Sequence, residues 1–123
     1  MNASLAIRTG AIWMALAVGL GAFGAHSLQS RLALLDSADT WQTAVTYQAW
    51  QALGLILLGA VTVQDKLPPG AGRTTGWLLL AGSFLFSASL YVLALHPSET
   101  WLGPVTPVGG LLMILGWLGF AAL

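Results

Sequence analysis

Apolar residues in this chain neither alternate nor form a narrow stripe; they run. Four stretches, at about 9–28, 42–63, 74–95 and 105–123, fill nearly the whole sequence. A hydrocarbon core of ~30 Å takes ~20 apolar residues in helical form, and each stretch has about that length. Lipid offers no partner for a backbone N–H or C=O, which leaves helices or a closed barrel. Four strands are too few to close a barrel, and the alternation of barrel strands is absent. The pattern therefore predicts an all-α fold, an integral membrane bundle of four transmembrane helices, as one domain over residues 1–123.

Polar residues mark the connections. The first loop is the longest and carries Gln29, Ser30, Arg31, Asp36, Ser37, Asp39 and Thr40. Asp36-Ser37-Ala38-Asp39 reads as the cap of the second span, and Leu32-Ala33-Leu34-Leu35 as a short interfacial turn lying on the bilayer. The second loop, Gln64 to Arg73, is built on Pro68-Pro69-Gly70, a strong breaker. The third, His96-Pro97-Ser98-Glu99-Thr100, is short enough to make the last two spans antiparallel neighbours. The fourth span begins at Gly103-Pro104-Val105-Thr106-Pro107-Val108-Gly109-Gly110. First-turn prolines are tolerated, but the glycine pair is expected to loosen the helix, which then needs shielding by protein. Arg8, an apolar run and Gly24-Ala25 have the outline of a secretory signal peptide. The run is nearer to spanning length than to the ~7–15 residues of a signal core, so it reads as a span.

Composition narrows the functional classes. Hydrophobic residues make up 57% of the chain and charged residues 7%, against roughly 25% charged in soluble domains. The formal net charge is zero, so no basic field exists to attract nucleic acid. The absence of cysteine excludes disulfides, thiolate metal sites and a cysteine nucleophile. With four spans, the two termini and the second loop share a side. That side holds Arg8, Lys66 and Arg73 and the other only Arg31, so the positive-inside rule places both termini in the cytoplasm. In this frame Trp13 and Trp77 lie at the cytoplasmic interface and Trp41 and Trp101 at the outer one, as an aromatic belt requires. Trp50 lies deeper.

Helices in lipid associate through close packing and interhelical hydrogen bonds. The first span offers Ala17, Gly21 and Ala25 at four-residue spacing, broadened by Gly19, Ala22 and Gly24. The third offers Ser83 and Ser87 at the same spacing. Such small-residue surfaces serve packing within the bundle or a homo-oligomer interface, and Gly21→Leu disrupts either.

Polar groups inside a membrane cost free energy unless partnered. Thr43, Tyr47 and Gln51 recur every four residues in the second span, with Gln48 beside them. Ser87, Ser89 and Tyr91 lie in the third, His26 closes the first, and Thr106 begins the fourth. The topology places His26, Tyr47, Gln48, Gln51, Ser87, Tyr91 and Thr106 at one outer level, with Thr43 on the same stripe. Two readings stay open: a structural hydrogen-bond network fixing helix register, or an outward cavity for a solute, a lipid head group or a proton. In the second, His26 is the titratable member, since imidazole ordinarily titrates near pH ~6.5. Against it, no charged residue lies securely within a span, where carriers and pumps place one.

His96, before Pro97, reads as a solvated loop histidine. His26 and His96 with Asp36, Asp39 and Glu99 match no zinc spacing, so no metal or cofactor is expected. A P-loop, Gly-x-Ser-x-Gly and His-Glu-x-x-His are all missing. Gly19-Leu20-Gly21-Ala22-Phe23-Gly24 fits Gly-x-Gly-x-x-Gly, but within a span and without a preceding strand, so it is no dinucleotide loop. The expectation is not an enzyme.

Four stretches together resemble a known group. They are Gly21-Ala22-Phe23-Gly24-Ala25-His26; Trp41-Gln42-Thr43-Ala44-Val45 running into Tyr47-Gln48; Leu85-Phe86-Ser87-Ala88-Ser89-Leu90-Tyr91; and Val105-Thr106-Pro107-Val108-Gly109-Gly110. In this order, and over nearly the whole chain, they resemble the YgdD-like family of small inner-membrane proteins, a domain of unknown function. The resemblance implies a four-helix protein of the bacterial inner membrane, with relatives in mitochondria-bearing organisms, and implies no reaction. Gln51 stands where the family commonly has a histidine, and Ala88 where a glycine is usual. Relatives carry a polar cytoplasmic tail past the position of Leu123. Without the second histidine, paired imidazoles for metal or proton relay lose ground, while glutamine keeps a structural network whole. The readings converge on a non-catalytic accessory, assembly or scaffolding protein. Its partners would be membrane lipids and either itself, as a homo-oligomer, or a larger membrane complex. A small channel or a solute or proton carrier around His26 is the alternative.

Overall fold

The four apolar runs fold as four long helices joined by short connections. The structure, a computed structural model, describes residues 1–64, 67–68, 70 and 72–123. Its elements are α1 (Ala3–Ala25), α2 (Gln29–Leu34), α3 (Ala38–Gln64), α4 (Arg73–Leu95), a 3-10 turn (Thr100–Leu102) and α5 (Val105–Ala121). No strand occurs among the described residues. The helices α1, α3 and α4, and α5 with the 3-10 turn before it, are long and apolar enough to cross a membrane. Asp65, Lys66, Pro69 and Ala71 lie outside the described residues, and with them much of the expected Pro-Pro-Gly turn and one basic residue of the orientation argument.

The bounds differ from expectation mainly in α1, which starts at Ala3 rather than Thr9. The reason is local: the Asn2 side chain accepts a hydrogen bond from the Leu5 amide at 2.8 Å, capping the helix. Arg8 therefore lies within the helix and is exposed, and a long aliphatic stem lets such a residue place its charge at the membrane interface. Residue 13 becomes the middle of the span, so Trp13 is not an interfacial residue. At the other end, the expected cap of α3 takes a different form. Ser37 donates its hydroxyl to the Ala94 carbonyl at 2.6 Å, tying the first loop to the end of α4. Asp36 has φ 53°, a left-handed conformation that carboxamide and carboxylate residues tolerate. The interfacial turn is the short helix α2, which buries Leu32 against Trp41 and Ala94 and turns Leu34 outward.

In space α3 is central, packed against α1 on one side and α4 on another, with α5 against α4. Backbones approach closely where glycine or alanine allows it. A Cβ on Gly10 would lie 2.7 Å from the Ala52 carbonyl oxygen, and one on Gly59 would lie 2.7 Å from that of Ala3. Gly109 does not loosen α5. It forms the α4–α5 crossing with Gly82, where a Cβ on either would lie within 2.8 Å of the other helix's backbone. Of the small stripe expected in α1, Ala17 is buried and Gly21 faces Val45, but Ala25 is exposed. The helical phase gives the inner position to Gly24 instead, which lies under the Trp41 indole. Met1 packs by Gly76, and Leu123 lies beside Gly72. Both termini and the start of α4 thus share one end of the bundle.

Candidate functional site

The polar interior is organised around Gln48, on the α3 face enclosed by α1 and α4. Its side chain is 0% exposed. Nε2 donates to the Trp13 carbonyl at 3.0 Å, and Oε1 accepts from the Tyr91 hydroxyl at 2.6 Å. A carbonyl can only accept, so the amide orientation is fixed and Tyr91 must donate. Trp13 in turn donates its indole N–H to Ser83 Oγ at 2.7 Å. One glutamine, two aromatic residues and one serine thereby join α1, α3 and α4.

Further bonds run along the same seam. Ser87 donates to the Ala44 carbonyl at 2.8 Å, and Trp41 donates its indole N–H to the Leu20 carbonyl at 2.8 Å. The Trp41 and Tyr91 rings pack 4.7 Å apart. A second branch reaches α5. The Trp117 indole donates to Gln51 Oε1 at 2.7 Å, and Gln51 Nε2 donates back to the Tyr47 carbonyl at 3.2 Å. Gly54 makes room for that indole, since a Cβ there would lie 2.8 Å from Trp117 Cζ2. Ser89 donates to the Phe86 carbonyl at 2.8 Å, which leaves Thr106 to donate across the 2.6 Å contact between their hydroxyls. Among the described residues no buried side-chain nitrogen or oxygen lacks a partner.

The structure brings together Ser83, Ser87, Gln48 and Tyr91; it joins Gln51 to the Tyr47 backbone, and Thr106 to Ser89. It does not bring in His26 or Thr43, both of which are exposed. His26 lines only a shallow depression of about 330 Å³ with Gly19, Ala22, Phe23 and Ser27. The Tyr47 ring packs on Trp50 at 4.9 Å and Phe86 at 4.7 Å, and its hydroxyl takes no part in the network. Sequence reasoning missed the three indoles as donors. The available signal was that an indole N–H only donates and cannot be left bare in hydrocarbon.

None of these interior groups is Asp, Glu, Lys, Arg or His, and no cluster of three potential metal ligands occurs among the described residues. What the arrangement does physically is hold four helices in one register.

Comparison with known proteins places this geometry in context. A family described as "Protein of unknown function (DUF423)" matches residues 20–110. A UPF0382 membrane protein of Staphylococcus haemolyticus is 44% identical over 115 residues, covering 93% of this chain and 89% of the relative. The UPF0382 membrane protein YwdK of Bacillus subtilis is 44% identical over 114 residues, covering 91% and 89%. One from Schizosaccharomyces pombe is 42% identical over 106 residues, covering 83% and 86%. No solved structure matches the chain.

Proposed function

This chain belongs to the DUF423 family, membrane proteins of unknown function, and from that premise we propose a non-catalytic accessory, assembly or scaffolding role. The observation that carries the reading is how the polar and apolar groups are divided. The interior polar side chains bond helix to helix, while the outward faces are hydrocarbon. Ile12, Val18, Leu57, Val63, Ile114 and Leu118 are each more than half exposed. With almost no mass outside the bilayer, the protein meets its partners through those faces.

One face suits close approach. Ala11, Ala15, Gly19 and Ala22 are exposed along α1, opposite the buried Ala6, Gly10 and Ala17. A Cβ on Gly19 would meet nothing within 4 Å. Small residues so spaced let a second helix approach, and we assign the face to self-association or to a helix of a larger membrane complex. Arg8 and Arg73, at the end that holds both termini, support cytoplasmic termini by the positive-inside rule. The YgdD-like resemblance supports the bacterial inner membrane, and the Staphylococcus and Bacillus relatives are named membrane proteins.

The test is crosslinking in cells, then purification of tagged protein in mild detergent. A defined oligomer or a stoichiometric partner is expected, and Gly19→Ile should dissociate it while the protein stays folded. A lone monomer with no crosslinked partner overturns the reading.

A further inference from the structure

A lateral groove of about 530 Å³ opens between α3 and α5, lined chiefly by Tyr47, Trp50, Gln51, Phe86, Gly110 and Trp117. Its volume falls in the ~300–1,000 Å³ range of small-molecule sites. Gln51 lies thirteen residues past Ala38, or about 20 Å along the helix at ~1.5 Å per residue. The groove floor is therefore near the bilayer midplane, and its occupant must dissolve in hydrocarbon.

The lining also constrains the chemistry of that occupant. No charged side chain lines the groove, so the ligand is neutral. The lining is largely aromatic: the Tyr47 ring lies against Trp50 and Phe86, and Trp117 also lines the groove. Such faces pack flat rings well. Two side-chain donors remain free in the lining. Gln51 Oε1 accepts from Trp117, Gln51 Nε2 uses one of its two hydrogens on the Tyr47 carbonyl, and its second hydrogen and the Tyr47 hydroxyl are left over. The Tyr47 hydroxyl makes no hydrogen bond among the described residues; since no buried polar atom is unpartnered, it is accessible from outside the bundle. A saturated acyl chain would leave these donors unmet at a cost. The ester carbonyls of phospholipids stay near the edge of the hydrocarbon, above the level of Gln51.

We propose that this groove binds a hydrocarbon-soluble quinone, its flat ring against the aromatic lining and a ring carbonyl accepting from the Tyr47 hydroxyl. The proposal concerns binding alone.

The test uses the full chain in nanodiscs of phosphatidylcholine and phosphatidylglycerol, with a decyl-substituted benzoquinone as probe. Saturable quenching of tryptophan fluorescence and a one-to-one adduct in native mass spectrometry are expected. Tyr47→Phe keeps the ring and removes the donor, so it should weaken binding roughly 2- to 12-fold, the range of one neutral hydrogen bond. Gly110 has room for a side chain, since a Cβ there would meet only the Phe86 ring, at 3.8 Å or more. Gly110→Leu should fill the groove and abolish saturable quenching with helicity and elution volume unchanged. Purely collisional quenching of the wild type, saturable binding that survives Gly110→Leu, or a phospholipid adduct that excess quinone does not displace would each overturn the proposal.

Discussion

Gln48 concentrates more of this fold's specificity than any other side chain, because it both donates and accepts across helices. Among the described residues, seven side-chain hydrogen bonds join the four long helices to one another. At ~0.6 kcal/mol each, with a ceiling of ~1.7, they contribute on the order of 4 kcal/mol together. Their larger effect is on register: one turn of slippage between α1, α3 and α4 would strand an amide, an indole and a phenol in hydrocarbon. Gln48→Leu and Tyr91→Phe each remove the bond between them. In a double-mutant cycle read by unfolding in detergent, the pair should cost less than the sum of the singles. The expected coupling is ~0.6 to 1.7 kcal/mol. Additive losses would show that the 2.6 Å contact contributes nothing. His26→Ala, at an exposed position, should leave stability unchanged in the same assay.

At the scale of elements, glycine placement decides how closely helices approach. Gly82 and Gly109 meet backbone to backbone, so an added methyl cannot be relieved by rotating a side chain. Gly109→Ala should cost about 1–3 kcal/mol, the usual penalty of overpacking. Gly19→Ala, where a Cβ meets nothing within 4 Å in its own chain, should be neutral or slightly stabilising to unfolding of the monomer, since alanine has the higher helix propensity. Equal effects of the two on thermal unfolding would contradict the crossing described above. The helices themselves were legible in sequence because lipid enforces their length and hydrogen bonding. Which face of each helix is inward was legible only where polar residues marked it. Gln48, Gln51, Ser87, Tyr91 and Thr106 were found that way, each needing a partner. Thr43 and His26 fall near helix ends, where the interface can satisfy them, so their polarity carried no information about direction. Ala25 was misplaced because a stripe drawn at strict four-residue spacing drifts off the inner face at 3.6 residues per turn. Trp13 was misplaced because the start of α1 depends on the Asn2 cap rather than on hydropathy.

For the molecule as a whole, bonded polar side chains sit within a core that is still mostly apolar, the exterior is hydrocarbon, and orientation follows from charge at the two ends. Four spans put both termini on one side and the third loop on the other. The chain has no cysteine, so a single introduced thiol reports one location. Ser4 is exposed in the first turn of α1, Ser30 in α2, and Ser98 in the loop before the 3-10 turn. With both termini cytoplasmic, Ser30→Cys and Ser98→Cys should react with a membrane-impermeant maleimide in intact cells, and Ser4→Cys only after the cells are opened. The reverse pattern would invert the orientation and leave the bundle intact. Labelling of Ser4→Cys and Ser98→Cys from the same side would break the four-span topology itself. The two possible errors, of charge and of fold, thus give different labels.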